Sequence, residues 1–307
     1  MTYPLAYPFA LSSPLGICLQ SDALACISDD DSCALVCTNM RTPIRGGRAV
    51  ATRLRRRLPE RDIEVVASIG RYKYMSAKQI EELHFVDHAT PLTGARTCRR
   101  VLKRLTKAGV LWRLDRRIGG MRAGSVSYVY AITTLGFLIL DDTSAAHVRR
   151  HEPSAEFLDH TLEVAQLAVD LHHQARDGRI DLVSIEPEPD CWRRFTAGME
   201  GVQVLKPDLS IALRASDYEY HWFIEVDLST HSAIAVVRKC QLYHRYWTTG
   251  IEQDRSGLFP RVLIVTPNAR RAGVLGRAIG SARHLSAKLF AVTTTADATE
   301  CLTGAVS

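Results

Sequence analysis

Two runs joined by a few polar residues restrict this chain more than any other feature. Apolar and polar residues alternate in Lys206-Pro207-Asp208-Leu209-Ser210-Ile211-Ala212-Leu213. The alternation returns in Tyr220-His221-Trp222-Phe223-Ile224-Glu225-Val226-Asp227, where only Phe223 breaks it. A period of two is the signature of a strand that turns one face inward. A two-residue turn at Ser216-Asp217 pairs Leu209 with Ile224, Ile211 with Trp222 and Lys206 with Asp227. One face of this hairpin is then a core of Leu209, Ile211, Leu213, Trp222, Ile224 and Val226. The other gathers Asp208, Glu225 and Asp227, with Asp208 directly opposite Glu225. Carboxylates set opposite each other repel. Such a face is either exposed or has a cation to hold, and divalent ions such as Mg²⁺ or Mn²⁺ take carboxylate oxygens.

The flanking sequence supplies further polar groups. A helix over 154–175 carries Asp159, His160 and Glu163 within one turn, Glu163 sharing a face with His160. A strand over 180–186 follows, then the hairpin, whose first arm is read over 202–213. In a helix over 233–247, Lys239, Tyr243 and Tyr246 lie on one stripe. A strand over 262–266, a helix over 270–287 and a strand over 288–294 complete the C-terminal half. Plainer roles are available for several of these residues. Asp227 pairs with Lys206 across the hairpin, Tyr243 is core with a satisfied hydroxyl, and His160 is structural.

The N-terminal half differs in charge. Residues 41–150 hold 23 basic and 9 acidic side chains, whereas 1–40 and 151–307 are each mildly acidic. Residues 41–59 form a basic lead-in, densest at Arg53-Leu54-Arg55-Arg56-Arg57. Helical periodicity begins at Arg61, and Ser76-Ala77-Lys78-Gln79 reads as a capping box opening a second short helix. After a turn over 88–94, a third helix over 95–108 presents Arg96, Arg99, Arg100, Lys103, Arg104 and Lys107 opposite an apolar face. No acid occurs between Asp87 and Asp115. Like charges at i,i+4 destabilise a helix, and DNA phosphates relieve that repulsion. Two strand-like runs flank a Gly-rich tip with Arg116, Arg117 and Arg122, and a short apolar helix opens at Thr134. Three helices followed by a β-hairpin read as a winged helix-turn-helix whose third helix and wing bind DNA.

The order α-β-β-β-α-β, with Pro207-Asp208 on one strand and Glu225 ending the next, resembles the Pro-Asp…(Asp/Glu)-x-Lys nuclease superfamily. That resemblance implies a metal site of Asp208, Glu225, Asp227 and Glu163, and catalytic roles for Asp208, Glu225 and a lysine. Asp227 stands where the superfamily has its Lys, and Lys239 on the next helix is the replacement. The whole arrangement resembles the replication-relaxation family of plasmids, phages and mobile elements. It is carried by the basic third helix, Leu158-Asp159-His160-Thr161-Leu162, Pro207-Asp208, Phe223-Ile224-Glu225-Val226-Asp227 and Lys239-x3-Tyr243, over about residues 58–290.

The expectation is a two-domain α+β or α/β chain. Residues 1–40 are disordered or precede a true start at Met40, and residues 41–150 form a winged helix-turn-helix. Residues 151–307 form a nuclease-like, restriction-endonuclease-like module, a mixed β-sheet flanked by helices. The eight scattered Cys and the absence of a basic leader suit reduced thiols in a bacterial cytoplasm, and no membrane span is present. Cys33-x3-Cys37 has no second pair with which to bind zinc. Expected partners are double-stranded DNA, replication or relaxation proteins of a mobile element, and a second copy as a homodimer. Two functions fit. One is a metal-dependent DNA endonuclease using Mg²⁺ or Mn²⁺, with His160, Tyr243 and Tyr246 in support. The other is a non-enzymatic DNA-binding regulator whose nuclease-like module mediates protein contacts.

Overall fold

The computed structural model describes residues 47–118, 127–140, 152–196, 201–286 and 288–304, the side chains of 115–118 excepted. The first expected segment, 1–40, therefore lies outside the described residues. The fold is mixed α+β, and among the described residues no helix is long and apolar enough to cross a membrane.

The N-terminal module runs α1 (Gly47–Arg55), α2 (Glu60–Arg71), β1 (Tyr74–Ser76), α3 (Ala77–His84), α4 (Pro91–Lys107), β2 (Leu111–Ile118), β3 (Ser127–Ile132) and α5 (Thr134–Ile139). Ser76 caps α3 as a full capping box, its hydroxyl accepting from the Gln79 amide while the Gln79 side chain accepts from the Ser76 amide. α4 starts four residues earlier than its apolar period indicates. Thr90 caps it and Pro91 occupies the first turn, where its missing N–H costs nothing. Within the described part of the basic lead-in, α1 forms over Gly47–Arg55. β1, β3 and β2 make an antiparallel sheet in that order.

The C-terminal module begins with α6 (Ala155–Arg176), then β4 (Asp181–Pro187), β5 (Arg193–Thr196), β6 (Val202–Leu205), β7 (Leu209–Ala215) and β8 (Tyr218–Val226). After these come α7 (Ala233–Thr248), α8 (Ile251–Ser256), β9 (Arg261–Thr266), α9 (Ala269–Ser281), β10 (Phe290–Thr294) and α10 (Ala298–Leu302). The first hairpin arm is two strands, not one: β6 pairs with β5, and β7 starts afresh at Leu209. The β7–β8 register matches the alternation, with Leu209 against Ile224 and Ile211 against Trp222. The main sheet has the order β10-β9-β8-β7-β4, antiparallel from β4 to β8 and parallel from β8 to β10.

Both faces of this sheet are covered. Leu209, Ile211, Trp222, Ile224 and Val226 join the cluster that includes Val164, Ala165 and Ala168 of α6. Phe223, Val262 and Ile264 face the other way, toward Tyr243 and Tyr246 of α7 and Leu275 of α9. Phe223 therefore does not break the pattern; it is the core residue of the second face. Of the two readings of this face, exposed or holding a cation, exposure is excluded by the packing of α7 and α9 over it.

α6 also packs against the N-terminal module. The Gln79 side chain donates to the Leu162 carbonyl at 2.7 Å, and the Arg176 guanidinium donates to the carbonyls of Leu83 and Glu82 at 2.9 and 2.7 Å. Leu158 lies in a cluster with Leu114, Val129 and Ala131, and Tyr74 meets Phe157 edge-on. One apolar cluster runs from Val65 and Leu102 through α6 to Leu209 and Trp222.

Candidate functional site

A cavity of about 720 Å³ opens between α6, the ends of β7 and β8, and α7. It is lined by His160, Glu188, Asp208, Glu225, Asp227, Lys239 and Tyr243, among others. Asp208 precedes β7 by one residue, and its amide donates to the Ile224 carbonyl at 3.0 Å. Its Oδ2 accepts from the Val226 amide at 2.7 Å and is 3.2 Å from His160 Nε2. Glu225 on β8 accepts from the Lys239 ammonium on Oε2 and from the Tyr243 hydroxyl on Oε1. Lys239 and Tyr243 are one helical turn apart on α7, so one stripe delivers both to one carboxylate.

Asp227 has a third cation. Arg271 of α9 grips it bidentately, Nε to Oδ1 and Nη2 to Oδ2, both at 2.9 Å, and also donates to the His231 carbonyl at 2.6 Å. The Ser229 amide adds a bond to Oδ1 at 2.8 Å. The plain reading in which Lys206 pairs with Asp227 is thus corrected: the Lys206 ammonium lies over the Trp192 ring, 4.5 Å from its centre.

Asp208, Glu225 and Asp227 are all buried, at 8, 9 and 6% exposure, and the charge states of the first two depend on their partners. Burial pushes the Glu225 carboxyl up to about 7, against the pull of the Lys239 charge. Burial also opposes the Asp208 charge, but the His160 hydrogen bond, the Lys239 charge and the Val226 amide outweigh it and hold its carboxyl below the usual value. His160 is raised, because Asp208 overcomes the penalty of burial. Lys239 is raised for the same reason by Glu225 and Asp208. Burial, with the Glu225 charge, lifts the Tyr243 hydroxyl well above its ordinary value.

The donor set fits a preformed divalent-metal centre poorly. Both Glu225 oxygens and both Asp227 oxygens already accept from protein donors. Among the described residues no three His, Cys, Asp or Glu side chains are grouped to hold a metal ion. Each carboxylate has a protein partner of its own: the His160 imidazole, the Lys239 ammonium and the Arg271 guanidinium respectively. Glu163 does not line the cavity; the α6 residue that reaches Asp208 is His160, three positions earlier.

Tyr246 does not line it either. Its hydroxyl is buried and donates to Glu252 Oε2 at 2.5 Å, where Arg193 Nε also donates at 3.1 Å. This network fixes α7 to α8 and β5. Arg271 and Glu188 are site residues that alternation and spacing miss. Glu188 also binds Lys73 of the α2–β1 turn at 2.7 Å, so the N-terminal module touches the cavity wall.

The basic stripe on α4 is exposed throughout: Arg96, Arg99, Arg100, Lys103, Arg104 and Lys107 all face solvent. Arg104 differs from the other five. Its guanidinium is paired with Asp62 of α2, which has no solvent exposure, so Arg104 also anchors α4 to α2. Arg122 and the side chains of Arg116 and Arg117 lie outside the described residues.

No curated protein and no solved structure matches this chain. A family model described as replication-relaxation matches residues 66–262, from within α2 to within β9 and thus across both modules. With well over half its length matched, and with the basic helix and the three cavity carboxylates inside the matched region, the chain belongs to the replication-relaxation family.

Proposed function

We propose that the protein binds duplex DNA through α4 in the replication or relaxation of a mobile element. The succession α2, α3, α4 and the β2–β3 hairpin, with β1 completing a small sheet, supports a winged helix-turn-helix in which α4 is the recognition helix. One observation carries this reading. Arg96, Arg99, Arg100, Lys103 and Lys107 are exposed on one helix and form no ion pair among the described residues. Phosphates supply the missing charge. The test uses the full-length protein and a labelled duplex in a salt titration. With about six phosphates neutralised, affinity falls by about 10³-fold between 50 and 200 mM salt. Changing Arg96, Arg99, Arg100 and Lys103 together to Ala weakens binding and flattens the salt dependence; a folded variant with undiminished affinity refutes the proposal.

A second reading, DNA processing in the C-terminal cavity, is favoured by Lys239. Its ammonium sits on Glu225 beside Asp208, where it supports the idea that α7 supplies the lysine absent at Asp227. A fixed cation there stabilises negative charge developing on a phosphodiester, and losing one typically costs about 10²-fold in rate. The module is then restriction-endonuclease-like. Mg²⁺ or Mn²⁺ enters the reading only as an addition to be tested, because the carboxylates already have protein partners. The measurement is nicking of supercoiled plasmid, with divalent metal and with chelator, by wild type, Lys239→Ala and Glu225→Gln. Nicking lost in both variants supports an enzyme. Wild-type cleavage no faster than Glu225→Gln leaves a DNA-binding regulator whose second module serves protein contacts, including a homodimer.

A further inference from the structure

We infer that the end of α1 and the turn after it form a second DNA-contacting surface, which takes the sugar-phosphate backbone outside the footprint of α4. The inference rests on the DNA-binding reading of α4 and concerns residues outside that stripe.

α1 is a nine-residue helix, too short to be stable alone, and it is held by packing. Ala51 is buried, Leu54 and Leu58 are half-buried against the core, and the helix packs along α5. Arg55 adds a tether, its guanidinium donating to the Ile139 carbonyl at 2.6 Å. One arginine of the dense basic run therefore serves the fold. The others do not. Arg48, Arg53, Arg56 and Arg57 are exposed, and none is paired with a carboxylate among the described residues. The first acids after them are Glu60 and Asp62, and Asp62 is taken by Arg104.

One or two cations at the end of a helix are favourable, because they meet its free carbonyls. Three unpaired arginines in five residues exceed that and repel one another: Arg53 in the last turn of α1, and Arg56 and Arg57 in the turn that follows it. Phosphates would relieve this charge as they would on α4. The two surfaces are linked through α5. The Thr133 hydroxyl, which caps α5, lies 2.6 and 2.9 Å from the carbonyls of Gly109 and Val110, immediately beyond the C-terminal end of α4. Arg55, at the arginine-bearing end of α1, meets Ile139 at the far end of α5, so the six residues of α5 lie between this arginine cluster and the end of α4. Contacts of this kind position a protein on DNA without reading its sequence.

The experiment measures the slope of log Kd against log salt for the full-length protein on a 30-base-pair duplex. The proteins are wild type, Arg53→Gln/Arg56→Gln/Arg57→Gln, the same three positions changed to Lys, and the α4 quadruple variant. Arg55 is left intact because it holds α5. The expected result is a slope reduced by about two to three in the Gln variant, at roughly 0.9 per lost phosphate contact, and restored by Lys. Circular dichroism confirms that the variant is folded. An unchanged slope in the Gln variant, while the α4 variant loses binding, overturns this inference and leaves the α4 reading intact. A wild type that does not bind, or an α4 variant that binds normally, removes the underlying reading instead.

Discussion

At the scale of single residues, the site is governed by burial. Glu225 has Lys239 and Tyr243 on its two oxygens, yet desolvation still lifts its carboxyl to about 7. An acid with a higher pKa in the folded than in the unfolded state favours folding while it is neutral. That contribution is complete below about 4.5 and is lost as pH rises through about 7. Glu225→Gln stays neutral throughout. The melting temperature of this variant, measured relative to wild type, is therefore expected to rise between pH 5 and pH 8. A difference that stays flat over this window contradicts the raised carboxyl. Asp208 is coupled to Glu225, so the comparison reads the Glu225 titration together with that coupling. The partners of these acids were only partly legible in the sequence. Lys239 and Tyr243 declare themselves by helical spacing, whereas Arg271 comes from 44 residues beyond Asp227 and no local pattern announces it.

At the scale of elements, the strongest periodic signals fix type and register. The β7–β8 pairing follows from alternation and a polar turn, because a slip of one residue would turn Leu209, Ile211 and Ile224 away from α6. The weaker signals fail for identifiable reasons. α1 has few apolar positions among many arginines and owes its form to α5, which lies some eighty residues later. Phe223 looks anomalous until α7 and α9 cover the second face. α4 looks uniformly basic, but its arginines divide by their partners. Arg104 neutralises Asp62, whose other oxygen, Oδ1, is buried without a hydrogen bond. Arg104→Ala is accordingly expected to destabilise the protein by about 1–3 kcal/mol, by leaving a buried charge without its partner. Arg100→Ala, at an exposed and unpaired position, should stay within about 0.5 kcal/mol of wild type while weakening DNA binding. Chemical denaturation and anisotropy on the same two proteins check both halves. Equal stability losses would mean that the Arg104–Asp62 pair does not anchor α4.

At the scale of the whole molecule, the two modules that charge separates are joined by their cores. α6 presents Leu158 and Leu162 to the cluster around Leu114, Val129 and Ala131, and Val164, Ala165 and Ala168 lie in the cluster of the main sheet. A fragment ending at residue 150 loses the first of these covers and exposes buried apolar surface. Its melting temperature is expected to lie below that of the full chain, and the full chain is expected to unfold in one transition. Two well-separated transitions by calorimetry would show that α6 does not couple the modules. The position of α6 also decides how such a protein can be recombined. A seam cut before it strips the small sheet, and a seam cut after it strips the large one. Exchange of DNA specificity between relatives by swapping the N-terminal half therefore needs matched changes along both sides of α6. Drift in specificity by substitution on the exposed stripe of α4 needs none, so new binding preferences are expected to arise there more readily than by shuffling modules.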